Sequence, residues 1–281
     1  RDRGESLIVV GDNSNLRVHI HTREPDRVLD YAKSLGELSD INVRNMDEQH
    51  QEYLARQEKV SPDSIPAAVA VAAGDGLADV FLSLGALEVV PGGQTMNPST
   101  RDILQAVESV PSDTVFVLPN NKNIVLTAGQ VQSLTRKKVR VIPTETIPQG
   151  IAALMSIYAE GDAEAKAEAM SQAASAVRSI EITRAIRATT VGDLTIKKDQ
   201  FIGLLDGELL AAGNKPVKVV QDLLKRIDMA ASELVTIYYG ADIKAKDAEK
   251  LGKDIRKHYP KLKIELVRGD QPHYHYIISV E

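Results

Sequence analysis

Four loops hold most of the residues in this chain that could do chemistry, and each follows a short apolar run. Ala67–Ala72 leads into Ala73-Gly74-Asp75-Gly76, and Leu87–Val90 into Pro91-Gly92-Gly93-Gln94-Thr95-Met96-Asn97-Pro98-Ser99-Thr100. Val115–Leu118 leads into Pro119-Asn120-Asn121-Lys122-Asn123, and Val139–Ile142 into Pro143-Thr144-Glu145-Thr146-Ile147-Pro148-Gln149-Gly150. Asp75, Lys122 and Glu145 are the only ionisable groups near the tips, and no His or Cys sits among them. Nucleophilic catalysis needs a nucleophile with a base in reach. The loops supply Thr and Ser but no base. Amides, hydroxyls and open backbone N–H groups suit hydrogen-bonded recognition instead. Gln94, Thr95, Asn97, Ser99, Thr100, Asn120, Asn121, Lys122 and Gln149 are therefore the candidate partner- or ligand-binding residues. Taken singly, each loop also reads as an ordinary turn, since Gly, Pro and Asn are turn residues.

Three further clusters carry weaker signals. His19 and His21 lie two apart on an expected strand, so both point to one face; that spacing suits two imidazole ligands on Zn²⁺. A tetrahedral site needs further ligands, and none is obvious nearby. His273 and His275 repeat the spacing within Gly269-Asp270-Gln271-Pro272-His273-Tyr274-His275-Tyr276. There a turn into a final strand, or a tyrosine-bearing contact surface, is the better reading. Gly74-Asp75-Gly76 before a helix could hold an anion at the helix N-terminus. It lacks the spacing of a dinucleotide fingerprint and the Lys-Ser/Thr of a P-loop, and Asp75 would repel phosphate.

Strand-to-helix loops of a parallel sheet emerge on one edge, where ligands bind. The alternation of short strands and helices from Ala67 to Tyr158 implies such a sheet. The four loops should meet there, with Gln94, Thr95, Asn97, Asn121 and Lys122 accessible and adjacent. Ser99-Thr100-Arg101-Asp102 is a capping box, and Pro98 holds Asn97 extended.

The rest of the chain reads as two further parts. Residues 1–60 give strands Ser6–Val10, Leu16–Thr22 and Ile41–Asn45, a helix entered at Pro25 and ended by Gly36, and a charged helix over Asp47–Lys59. This is half of a small α+β sandwich. Ser61-Pro62-Asp63-Ser64-Ile65-Pro66 is a linker. Residues 61–160 hold the α/β unit. Residues 161–281 open with an Ala-rich helix, Asp162–Val177, and continue as α+β. The expected strands there are Ile180–Arg187, Phe201–Leu205, Leu209–Ala212, Leu234–Tyr239, Lys263–Leu266 and Tyr276–Val280. Helices are expected at Val217–Ile227 and Ala245–His258. Asp206-Gly207 marks a hairpin turn.

Bulk properties narrow the classes. The 281 residues exceed one typical domain, and 43% are hydrophobic but only 4% aromatic. Cores must then be rich in Val, Ile, Leu and Ala, as parallel sheets usually are. The net charge of -5 argues against a nucleic-acid partner. No apolar stretch is long enough to span a bilayer. The absence of Cys excludes disulfides and Cys-ligated metal sites, and fits a cytoplasmic protein. The chain starts Arg1-Asp2-Arg3 without Met and reads as a piece of something longer.

The residues also resemble a family. Gly92-Gly93-Gln94-Thr95-Met96-Asn97-Pro98-Ser99-Thr100, Leu118-Pro119-Asn120-Asn121-Lys122-Asn123 and Thr146-Ile147-Pro148-Gln149-Gly150 are similar to segments of the DAK2-domain fusion proteins, the FakA-like fatty acid kinase family. Val18-His19-Ile20-His21-Thr22, Thr183-Arg184-Ala185-Ile186-Arg187, Ile196-Lys197-Lys198-Asp199 and Gly269-Asp270-Gln271-Pro272 extend the likeness over essentially the whole chain. The resemblance implies a dihydroxyacetone-kinase-like N-terminal domain that binds ATP and Mg²⁺ and is absent here. It implies that this chain is the remainder of a central domain plus a C-terminal body of DegV-like fold. It implies an acyl-phosphate-forming kinase whose fatty acid arrives on a separate, fatty-acid-carrying DegV-like binding protein. In the family, the histidines matching His19 and His21 join an upstream Cys at a metal site, and this chain has no Cys. A non-catalytic docking and scaffold region is the leading reading, with a homodimer as a second partnership. The alternatives are a fatty-acid or small-ligand binding protein in its own right and an independent enzyme.

Overall fold

The computed structural model describes residues 5–11, 16–22, 24–39, 41, 43, 66–94 and 96–281. The chain divides into two compact units, Arg1–Ile65 and Pro66–Glu281.

In the first unit, β1 (Glu5–Gly11) and β2 (Leu16–His21) pair antiparallel, with Val9 opposite Val18. Helix α1 (Pro25–Lys33) follows. Pro25 occupies the first turn, where its missing N–H costs nothing, and Asp26 and Lys33 sit at the ends that suit their charges. Ile41 and Val43 are in no strand. The rest of the expected Ile41–Asn45 strand, the Asp47–Lys59 helix and nearly all of the linker fall outside the described residues.

The second unit contains two sheets. Strands β3 (Ala67–Ala72), β4 (Glu88–Pro91), β5 (Thr114–Leu118) and β6 (Lys138–Val141) form an all-parallel sheet in the order β4-β3-β5-β6. They alternate with α2 (Asp75–Ser83), α3 (Thr100–Ser109), α4 (Lys122–Val131) and α5 (Ile147–Met155). All six residues of β3 are buried, which is why its sequence is a continuous apolar run rather than an alternation. Val69, Val71, Ile103, Val117 and Ile124 pack together around it. The capping box is present: Ser99 Oγ accepts from the Asp102 backbone N–H, and the Asp102 carboxylate accepts from the Ser99 N–H at 2.8 Å.

After α6 (Ala163–Ala176), a six-stranded mixed sheet runs β11-β10-β7-β14-β12-β13. Its strands are β7 (Arg178–Arg184), β10 (Phe201–Leu205), β11 (Glu208–Gly213), β12 (Leu234–Tyr239), β13 (Lys263–Arg268) and β14 (Tyr276–Val280). Only β12 and β13 are parallel, joined through α8 (Ala245–His258). The Asp206-Gly207 turn has φ of 50° and 80°, the paired positive values a tight hairpin demands. A small hairpin, β8 (Thr189–Val191) with β9 (Leu194–Ile196), was not expected; its strands are three residues each, too short to show periodicity. Helix α7 (Pro216–Leu224) and α8 cover one face of this sheet.

Helix α5 joins the two sheets. Eight of its nine residues are buried, and it packs on β3 and β5 to one side and on β7 and β14 to the other. A helix apolar all round belongs inside a core. Mixed α/β architecture with a parallel sheet is thus the fold of this unit. No helix among the described residues is long and apolar enough to cross a membrane.

Candidate functional site

Because β3, β4, β5 and β6 are parallel, the loops after them leave one edge of the sheet, and they meet. A cleft of about 310 Å³ is lined by Ala73 from the first loop, Gly92, Gly93, Gln94 and Met96 from the second, Asn120 and Asn121 from the third, and Ile147 after the fourth. The other wall comes from the mixed sheet: Glu181 on β7, Ile277 on β14, and the 271–274 turn.

The loops are built rigidly. Asn120 takes φ of 55°, a left-handed conformation that Asn tolerates. Its side chain donates to the Val71 carbonyl at 2.9 Å and accepts from the Thr144 hydroxyl at 2.8 Å, so it ties three strand ends together. It fits because residue 150 is Gly: a Cβ there would lie 1.9 Å from Asn120 Oδ1. Asn121, expected to be accessible, is buried. It caps α4, its side-chain oxygen accepting from the Asn123 N–H at 2.9 Å, and capping satisfies a donor the helix start leaves open. Gln149 is similarly engaged, its oxygen accepting from the Glu145 N–H at 2.8 Å. Thr100 donates to Gln130 at 2.9 Å and Ser99 caps α3. Gln94, Asn97 and Lys122 are exposed. Gln94 sits beside the Gly93–Met96 bridge and hydrogen-bonds the Tyr274 hydroxyl. Thr95 lies outside the described residues. His19 and His21 stand in β2 opposite Ile8 and Glu5, and their side chains lie outside them too.

The Gly74-Asp75-Gly76 segment has a packing explanation. A Cβ on Gly74 would meet the Gln271 nitrogen at 2.6 Å, and one on Gly76 the Arg268 carbonyl oxygen at 2.2 Å. Glycine is needed where two backbones approach this closely. The Leu77 N–H, at the start of α2, donates to the Gly269 carbonyl at 2.9 Å. This helix end holds the turn from the other sheet rather than an anion.

That turn closes the cleft. Thr183 Oγ1 donates to the His273 carbonyl at 2.7 Å, Gln271 Nε2 to the Tyr238 carbonyl at 2.9 Å, and the His275 N–H to the Ile182 carbonyl at 2.8 Å. His273 and His275 share no strand face: His273 has φ of 67° in the turn, and His275 packs edge-on against Phe201 with Nε2 3.2 Å from Asp242.

The loops themselves hold no base, but the cleft does. Glu181 is 7% exposed and lines it. Burial pushes its carboxyl up to about 7, and the Lys122 ammonium offsets this in part. It makes no hydrogen bond or ion pair among the described residues. Burial also raises the Tyr274 hydroxyl well above its usual range, and the charge of Glu181 adds to this. The sequence reading missed Glu181 because Ser179, Glu181 and Thr183 alternate with Ile180 and Ile182, the pattern of a strand with one solvent face. Helix α5 covers that face instead.

Residues 67–281 match the C-terminal domain model of the FakA-like fatty acid kinase proteins, and residues 1–53 match the model for their middle domain. Protein YloV of Bacillus subtilis (strain 168) is 41% identical over 284 residues, covering 99% of this chain and 51% of that protein. The chain thus spans about half the length of the curated relatives it matches. The fold is shared with a fatty-acid-binding DegV family protein from Thermus thermophilus, at a TM-score of 0.55 and 13% identity over 77% of this chain and 99% of that one. It is shared also with the Streptococcus pneumoniae Fatty Acid Kinase (Fak) B3 protein loaded with linoleic acid, at a TM-score of 0.51 and 12% identity over 77% and 99%. The second unit therefore has the DegV fold, and the chain belongs to the FakA-like fatty acid kinase family.

Proposed function

We propose that this chain is the docking and scaffold region of a fatty acid kinase. It receives a DegV-like binding protein that carries the fatty acid, and presents the carboxylate to an ATP site elsewhere in the full-length protein, which phosphorylates it. The observation that carries this reading is the rim of the cleft. Gln94, Met96, Asn97 and Lys122 stand exposed where the strand-end loops converge, and Met96 is 64% exposed. Leu126, one turn along α4 from Lys122, is 80% exposed. Apolar side chains beside amides and a cation are the ingredients of a protein-binding patch. The rigid loops beneath keep the ordering cost of binding low.

Calorimetric titration of the fatty-acid-loaded binding protein into this chain tests the reading. Met96→Ala and Leu126→Ala should each weaken association severalfold with unchanged melting temperature. Wild-type affinity in both variants, or no association with the wild type, removes it.

The DegV-fold neighbours described as fatty-acid-binding favour a second reading, in which this chain's own cleft holds the lipid. Against it stands Glu181, which would face an incoming carboxylate with like charge. The volume, about 310 Å³, is also at the lower end of the roughly 300–1,000 Å³ of small-molecule sites. Native mass spectrometry of the purified chain decides: a bound fatty acid supports the second reading, and bare protein supports docking.

A further inference from the structure

We infer that the base of the cleft is a socket for a cationic side chain, an arginine or lysine of the docking partner, which pairs with Glu181. The inference rests on the docking reading and names the chemistry the partner brings. A carboxyl group removed from water on an apolar strand is costly unless paired. Glu181 is more than nine-tenths buried, yet no donor among the described residues reaches it. Lys122 acts on it through charge but comes within ion-pair distance of no carboxylate among the described residues. The other groups around the carboxyl are Leu204 opposite it on β10, Ile277 opposite it on β14, Ile147 at the start of α5, and His273 and Tyr274 from the turn. Of these only His273 and Tyr274 titrate, and the Tyr274 hydroxyl is already engaged by Gln94.

The cleft is open, so the missing donor can enter from outside. A guanidinium or ammonium on a long alkyl stem fits the surroundings, its stem lying along Met96, Ile147 and Ile277 and its head reaching the carboxylate. An anionic ligand is disfavoured at this depth. The site is thereby divided: Lys122 at the rim suits an acidic group of the partner, and Glu181 at the base suits a basic one.

Two measurements on the full chain test the socket. The first is an NMR titration with argininamide and, separately, octanoate. Argininamide should shift the backbone amides of Glu181, Tyr274 and Gln94, Glu181→Gln should abolish the shifts, and octanoate should leave them in place. Octanoate shifting these amides, or argininamide shifting them equally in Glu181→Gln, overturns the inference. The second is calorimetry with the fatty-acid-loaded binding protein at pH 6 and pH 8. Glu181 ionises as pH rises through about 7, so wild-type affinity should rise severalfold between the two. Titration of His273 contributes in the same pH range, and Glu181→Gln separates the two: it should bind at least tenfold more weakly at pH 8 and lose most of the pH dependence. If Glu181→Gln binds as the wild type does while Met96→Ala binds weakly, docking stands and the socket falls. If the partner never binds, docking falls and the argininamide result alone judges the socket.

Discussion

The two faces of the six-stranded sheet are equally buried and oppositely built. On the face beneath α7 and α8, Ile180, Ile278 and Ile237 lie side by side across β7, β14 and β12. One residue along, on the face toward α5, the same three strands carry Ser179, Ser279 and Thr236 in register, and β13 continues the row with Glu265. The next row on that face begins with Glu181. All are buried. The apolar face does what area burial dictates. The polar face keeps groups that burial penalises, and Thr236 Oγ1 and one oxygen of Glu265 have no hydrogen-bond partner. Stability alone does not select such a surface, and its open end is the cleft.

The largest effect should come from breaking the apolar face. Ile237 is fully buried among Val235, Leu251 and Ile278. Ile237→Ala should cost about 2–5 kcal/mol, the range for truncating a buried aliphatic side chain that leaves a cavity. Urea denaturation at constant slope measures it. A loss below about 1 kcal/mol would mean that the two faces are energetically alike.

The opposite sign is expected on the polar face. The Glu181 carboxyl ionises near 4.5 in the unfolded chain and at about 7 in the folded one. The folded state therefore retains a proton that the unfolded state has lost, and stability falls as pH rises from about 4.5 through 7. The difference corresponds to roughly 3 kcal/mol above pH 7. Glu181→Gln should recover about 1–3 kcal/mol at pH 8 and little at pH 4. Glu281, also pushed up to about 7 by burial, contributes in the same sense to both proteins and cancels in the comparison. Denaturation midpoints at the two pH values check this. A variant less stable than wild type at pH 8 would show that Glu181 has a structural partner.

These faces also show what was legible in the sequence. The parallel unit was, because its strands are buried on both sides and its loops carry turn and capping signals: Ala67–Ala72, the Ser99–Asp102 box and the convergence of the four loops all follow from local pattern. Leu234–Tyr239, Ala245–His258 and Tyr276–Val280 are found where periodicity puts them. Local pattern cannot say what covers a strand. Ser179, Glu181 and Thr183 look like a wet face, and only the second layer, α5, makes them an interior one. The burial of Asn121 escaped for the same reason, since capping is local but the Thr144 and Gly150 neighbourhood of Asn120 beside it is not.

A smaller effect is expected where α5 meets the polar face. Thr146 caps α5, and its hydroxyl hydrogen-bonds Ser179 Oγ at 2.7 Å in a buried position. Ser179→Ala leaves the Thr146 hydroxyl without that partner, which should cost about 1–2 kcal/mol. Thr146→Val with Ser179→Ala removes both polar groups and should cost less than the sum of the two single changes, a coupling that a double-mutant cycle reads directly. Additive costs would mean that the bond contributes nothing to holding the helix on the sheet.

The smallest effect on stability, and a clear one on binding, is expected of Lys122→Ala. Lys122 stands exposed at the first position of α4, and none of the described ion pairs includes it. A cation at a helix N-terminus is slightly unfavourable against the helix dipole, and its charge slightly favours ionised Glu181. The two tendencies oppose, so the folded state should change by no more than about 0.5 kcal/mol. Binding is different, because a rim charge steers and orients a partner before contact. Affinity for the fatty-acid-loaded binding protein should fall severalfold in low salt, and the difference from wild type should shrink as added salt shortens the screening length toward about 8 Å. Glu181→Gln should weaken the same association with less sensitivity to salt, because a pair formed at the buried base is screened far less than one at the rim. Titrations of both variants at two salt concentrations separate rim from base. Identical salt dependence in the two would place both charges in one solvent-exposed environment and dissolve the distinction between the accessible loop edge and the buried polar face.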